Sequence, residues 1–216
     1  MYSVPVPRPG TLIIPDWLQS SDGRDYLTCI LRKKKRRTFG IQTSCVFWPV
    51  RPRDSDRPII FAFQFWDCGE SALKKFDHIL PACKEKADAI LFLFSFTDRS
   101  SFEDVPALIS RTMNQEENAA RVVIGTKLDQ FMHTDVTEQD IRDFQQTWQL
   151  PVMRVRSVNG PRLSDGRSLD GGAELADAAP VLNGLAEVLW HRDQITAGLV
   201  DIGECRSQEE TSDQRS

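Results

Sequence analysis

The sequence predicts an α/β layer fold with a mainly parallel sheet and one antiparallel hairpin at its edge. Three observations carry this. Two aromatic and β-branched runs, 43–50 and 58–66, flank a turn-rich link at 51–57, which is the pattern of a β-hairpin. The run 89–96 is apolar throughout at strand length, as suits a parallel strand buried on both faces. From residue 43 onward, strand-like and helix-like runs follow in the order ββαβαβαβα.

Taken in order, the chain opens with Pro5, Pro7, Pro9 and Pro15, which favour extended or polyproline backbone. Residues 22–37 read as a helix with Tyr26, Leu27, Ile30 and Leu31 as its apolar stripe. It ends in a run of basic residues at 32–37. Cations suit the negative end of a helix dipole; a nuclear-import signal or a contact with anionic headgroups is the sharper reading. After the hairpin, 70–86 is helical in pattern, interrupted at Pro81. Ser101 and Asp104 have capping-box spacing and predict a helix from there to about Met113. Residues 121–126 form a short buried strand. Thr137 and Asp140 open a helix to about Gln149, with Ile141, Phe144 and Trp148 on one face. A strand at 151–156 and a Gly-, Ser- and Asp-rich loop at 159–172 come next. The last helix, 173–195, points Leu182, Leu185, Val188 and Leu189 inward, and Pro180 is expected to kink or divide it. The polar stretch 201–216 is expected to be disordered. The resulting division is a Pro-rich and basic segment at 1–39, a domain at 40–200 and a tail at 201–216.

Composition removes several function classes. A net charge of −4 gives no global basic field for nucleic acid. Cys29, Cys45, Cys68, Cys83 and Cys205 are odd in number and scattered, which fits neither a disulfide framework nor a metal spacing and suits a reducing cytosol. His78, His133 and His191 lie far apart, so no protein-only metal site is expected. No apolar run reaches the roughly 18 residues needed to span a bilayer. There is no signal-peptide pattern at the start and no lipidation box at the end, so no membrane anchor is expected.

Two strand ends could carry chemistry. Trp66-Asp67-Cys68-Gly69-Glu70 stops a buried strand at a carboxylate and a glycine, where an α/β sheet binds ligands. Asp67 could hold a metal-bound water, and Gly69 would let a loop pass a phosphate. Gly125-Thr126-Lys127-Leu128-Asp129 ends another strand about 60 residues later. A carboxylate at Asp129 can accept two hydrogen bonds from N1 and N2 of guanine, a pairing adenine cannot offer. The Lys127 stem can lie against the base. Read alone, each is an ordinary solvent loop; together, each at a strand end, they suggest a nucleotide site.

Four segments, Val46-Phe47-Trp48-Pro49, the run 65–76, the run 91–98 and His133-Thr134-Asp135-Val136, resemble the ciliogenesis and planar polarity effector two family of Rab- and Rem-like small GTPases. The resemblance spans nearly the whole chain. It implies a Ras-like, P-loop NTPase fold and GTP or GDP with magnesium as ligands. It also implies a role in cilium biogenesis, planar cell polarity and targeted vesicle and protein transport, exocytosis included. The place implied is the cytoplasm, cytoskeleton and ciliary basal body. The partners implied are the planar polarity effectors Fuzzy and Inturned, with the chain expected to be monomeric within a complex. By position, Thr126, Lys127 and Asp129 match the guanine-reading Asn-Lys-x-Asp motif, with Thr in place of Asn. Ser157 and Val158 match the Ser-Ala of the last guanine loop. Gly40, Ile41, Gln42 and Thr43 match the part of switch I that leads into the second strand. Asp67, Gly69 and Glu70 match switch II, with Asp67 at the magnesium position.

The chain departs from that family in two places. No Gly-x-x-x-x-Gly-Lys-[Ser/Thr] precedes residue 41, so the first strand, the P-loop, the first helix and most of switch I are missing as one block. The spacing Asp67-Cys68-Gly69-Glu70 is one residue short of the usual switch II pattern, and Glu70 stands where a water-orienting Gln is expected. No catalytic residue is therefore assigned, GTP hydrolysis is not expected, and nucleotide binding is expected to be lost. In the fold that the resemblance implies, the missing strand lies centrally, so 61–66 and 89–96 should each expose an unpaired edge. Unpaired buried backbone groups cost about 1–3 kcal/mol each. The gap could close by direct pairing, be filled by a stretch such as 11–14, or leave a chain that folds poorly. A nucleotide-free scaffold and a non-functional truncated form are the competing readings.

Overall fold

The computed structural model describes residues 7, 10–24, 42–67, 87–112, 119–156 and 171–199. The fold is mixed α/β, as the sequence predicts. Its backbone divides into two compact units, 8–87 and 88–216, the latter also taking in 1–7. The boundary predicted at 39/40 falls inside the first unit.

In the first unit, β1 (Gln42–Val50) and β2 (Ile59–Asp67) form the predicted antiparallel hairpin, pairing Thr43 with Trp66 and Val50 with Ile59. Alternation sorts its side chains, with Pro49 the exception, buried on the face opposite Trp48. Trp48, Val50 and Phe63 are buried on one face. Phe61, Phe63 and Phe65 run along that face with ring centroids 5.6 and 5.8 Å apart. The Pro-rich start docks onto the hairpin turn. Ile14 N–H donates to the Arg51 carbonyl at 3.0 Å and Arg53 N–H to the Leu12 carbonyl at 2.9 Å, with Ile13 bridging Pro52. Ile13, Trp17 and Leu18 are buried, the last two in a 3-10 turn, Trp17–Gln19. A side chain at Gly23 would collide with the Trp17 carbonyl, so only glycine permits this approach. The 11–14 stretch therefore extends the hairpin at its turn.

In the second unit, β3 (Ala89–Ser95), β4 (Ala120–Thr126) and β5 (Val152–Arg154) form a parallel sheet in the order β3-β4-β5. Their limits lie within a residue or two of the predicted runs. Among the described residues β2 and β3 belong to different sheets. On one sheet face, Phe92, Phe94, Phe96 and Val123 pack with Phe102, Val105, Ile109, Val136, Ile141 and Phe144. These come from α1 (Arg99–Glu103), α2 (Val105–Thr112), α3 (Glu138–Trp148) and the segment before α3. The other face, which carries Val122, Ile124 and Met153 in register, lies beneath α4 (Gly171–Thr196).

Two helix expectations need correction. The cap of α1 is Asp98, whose carboxylate accepts from Ser101 N–H, so Ser101 is the third helical residue and not the cap. The helical run then breaks at Asp104 into α1 and α2. Pro180 lies within α4 without dividing it. The capping box of α3 forms as predicted, Thr137 and Asp140 each bonding the other's backbone N–H. The predicted helices at 22–37 and 70–86, the loop at 159–172 and the tail fall largely or wholly outside the described residues.

Candidate functional site

Thr126 ends β4, and its surroundings fix the loop that follows. Gly125 lies against the rings of Phe94 and Phe96, where an added Cβ would collide with both. Phe96 N–H donates to the Thr126 carbonyl at 3.0 Å, and the Thr126 hydroxyl donates to the Phe94 carbonyl at 2.9 Å. The hydroxyl thus pins β4 to β3, a role that register alone creates. On the other side, Val155 N–H donates to Gly125 at 2.8 Å and Leu128 N–H to Val155 at 3.2 Å. The chain then turns sharply. Lys127 adopts the left-handed conformation (φ 59°, ψ 31°), which an L residue holds only when its surroundings impose it. A 3-10 turn, Leu128–His133, begins there with Asp129 half-buried in its first turn. Lys127 itself is exposed. The predicted trio Thr126, Lys127 and Asp129 is therefore held together on one short, strained loop.

The end of β3 beside it is also bound tightly. The Ser95 hydroxyl lies 2.9 Å from that of Thr97, and Ser95 N–H donates to the Ser101 hydroxyl at 3.0 Å. Arg99 reaches across to Asp140 with two bonds of 3.2 Å and to the Asp135 carbonyl at 3.1 Å, joining α1 to α3. The Asp140 carboxyl is held well below the usual carboxylate range, first by the Thr137 hydroxyl and then by Arg99. The sequence showed the Thr137–Asp140 spacing but gave no sign of Arg99.

The other predicted group is divided. Asp67 is the last residue of β2 and is exposed; its partner in the ladder is Gln42. Only the backbone of Gln42 and Thr43 is described. Gly40, Ile41, Gly69, Glu70, Ser157 and Val158 lie outside the described residues. What the sequence did not single out is the second face of the hairpin. Phe47 (42% exposed), Ile60 (47%) and Trp66 (53%) all point that way, with Cys45, Ala62 and Gln64 between them. Their alternation with Trp48 and Phe63 was the available signal.

The donor set of the β4 loop suits a guanine base: a half-buried carboxylate beside a lysine stem on a rigid turn. It does not suit a triphosphate. Phosphate oxygens need several convergent backbone N–H groups and a lysine, and the 216 residues contain no such glycine-rich pattern.

The Ras family model matches residues 54–162, about half the chain. The chain is similar to ciliogenesis and planar polarity effector 2 of Xenopus tropicalis, with 60% identity over 245 aligned positions covering 90% of this chain and 96% of the relative. It is 48% identical to the Mus musculus protein of that name over 90% and 95%, and 40% identical to that of Danio rerio over 94% and 96%. An alignment of 245 positions is longer than this 216-residue chain, so the relative has residues opposite gaps here.

Proposed function

The chain belongs to the Ras family, alongside the ciliogenesis and planar polarity effector 2 proteins, and from that premise we propose that it serves cilium biogenesis and planar polarity as an interaction module that needs no bound nucleotide. The observation that carries this reading is the exposed apolar face of the hairpin. Phe47, Ile60 and Trp66 stand on one side of a two-stranded ladder whose other side carries the buried Trp48, Val50 and Phe63. Large aromatics held on a rigid strand are the side chains that anchor protein–protein contacts. We propose Fuzzy and Inturned as the partners, and the ciliary basal body, where cargo and vesicles are delivered, as the place.

Nucleotide would add little. The β4 loop can address a base, but base contacts without phosphate and magnesium contacts leave most of the ligand's charge unsatisfied. The second reading, a nucleotide-dependent switch, draws its support from Lys127, since strain of this kind concentrates at binding sites.

The test is capture of Fuzzy and Inturned by the full chain with and without GTP and magnesium. Equal capture in both, lost in Phe47→Ser/Trp66→Ser with the melting temperature unchanged, is expected. Capture that requires GTP would favour the switch, and capture that survives both substitutions would overturn the hairpin face as the anchor.

A further inference from the structure

We propose that β3 pairs edge to edge with β3 of a second copy, antiparallel about a two-fold axis at Phe92, to make one continuous six-stranded sheet. Among the described residues β3 hydrogen-bonds β4 on one side and, apart from the bridge of Ser95 to Asp98 at its end, nothing in a strand on the other. Its seven residues, Ala89 to Ser95, include no charge and no proline. Exposed edges are normally guarded by lysine, proline, a bulge or a covering element, because a bare apolar strand is a template for another strand.

Side chains on the α4 side of the sheet point to the same edge. Gly184 of α4 sits so close to Met153 of β5 that an added Cβ would lie 2.7 Å from its Cε. α4 also contacts β4. Leu93 of β3, on that same face beside Ile124, is left 59% exposed. A large aliphatic side chain at an unguarded edge calls for an apolar neighbour.

A second copy of the same strand supplies one in a specific register. With the axis at Phe92, the run from Ile90 to Phe94 finds partners; Ser95 takes no part, because its edge-side N–H and carbonyl are already bonded to the Ser101 hydroxyl and the Asp98 N–H. Leu91 lies opposite Leu93 of the other copy, and the pair repeats by symmetry, so four leucines meet on the exposed face. Ile90 lies opposite Phe94 on the other. Cross-strand apolar pairs of this kind are the stabilising unit of a sheet. Charge permits the arrangement: Asp88, the nearest charged residue, falls opposite Phe96 and not opposite itself, and it already pairs with Arg192 at 2.9 Å. An isologous contact closes after two copies, so it yields a dimer and not a fibre. β2 suits self-pairing less well, because Gln64 and Asp67 interrupt its apolar run.

Two measurements on the full chain test this. Sedimentation equilibrium across a hundredfold range of concentration should show monomer and dimer and nothing larger. Leu93→Lys should return the chain to monomer with its far-ultraviolet dichroism unchanged, as expected for a side chain that is largely exposed. Hydrogen exchange should show β3 amides gaining protection as concentration rises in the parent chain and not in the variant; this reads pairing at β3 directly, whatever the variant does to folding. A monomer at every concentration, open-ended assembly, or a dimer that forms with no gain of protection in β3 would each overturn the proposal.

Discussion

The ends of β4 and β2 carry the two groups of residues that the sequence singled out, and the chain treats them differently. The β4 end lies between two neighbours. Its glycine is wedged against two phenylalanine rings, its threonine hydroxyl is bonded to β3, and the loop beyond is tied to Val155. Every one of these contacts falls within residues 88–216. The β2 end has one strand neighbour, and Asp67 is exposed. A loop supported within its own unit keeps its conformation without the rest of the fold.

The contrast can be broken most forcefully from the core side. Phe94→Ala removes a buried ring that packs edge-on against Phe96 and Phe102 with centroids 5.0 Å from each. Such truncations cost about 3–5 kcal/mol. Denaturant unfolding should show that loss, and the unit 88–216 should unfold first while the near-ultraviolet signal of the hairpin tryptophans persists. Loss of both signals together would mean that the two units unfold as one.

A smaller effect tests the pin between β4 and β3. Thr126→Val keeps the shape and removes the donor to the Phe94 carbonyl, which should cost about 1 kcal/mol. Exchange of the Lys127 and Leu128 amides should quicken while that of the hairpin amides does not. An unchanged loop would mean that the left-handed turn is held by other contacts.

Acid gives the mildest probe, and its sign follows from two depressed groups. His191 is buried on α4 and burial lowers its pKa from 6.5, opposed by Glu187 one turn away. Its unfolded form therefore takes up a proton first, and stability falls as pH drops below about 6.5. Asp140 is lowered from 3.8, so its contribution is fully present above that value and is lost as pH falls through it toward the folded pKa. Melting temperature against pH should show both stages. His191→Gln should remove the first and Asp140→Asn the second; a single-stage curve in the parent chain would contradict this.

What the sequence revealed, and what it hid, follows the range of each interaction. The strands were legible because alternation and apolar runs are local, as in β1, β2 and β3. The α3 capping box was legible because its two residues sit three apart. The α1 cap was misread because Ser101 and Asp98 are both cap formers, and only backbone geometry decides between them. Pro180 was expected to kink or divide the last helix, and α4 continues through it undivided. In the site, Lys127 and Asp129 were legible as residue types. The left-handed turn and the use of the Thr126 hydroxyl were not, because they depend on β3 and β5, which are distant in sequence. The docking of Ile13, Trp17 and Leu18 was hidden by the prolines around them, which read as a free extended segment.

The central claim, a base-reading loop without a phosphate site, is tested most directly by the thermal melt of the full chain with 1 mM GTP or GDP and magnesium. Binding at millimolar strength or weaker adds at most about 0.4 kcal/mol and shifts the midpoint by no more than about 2 °C. The account predicts a shift within that limit. Micromolar binding would add about 4 kcal/mol and raise the midpoint by roughly 8–16 °C. A shift of that size, abolished by Asp129→Ala, would mean that the chain holds its nucleotide by contacts the sequence does not reveal, and would contradict the account.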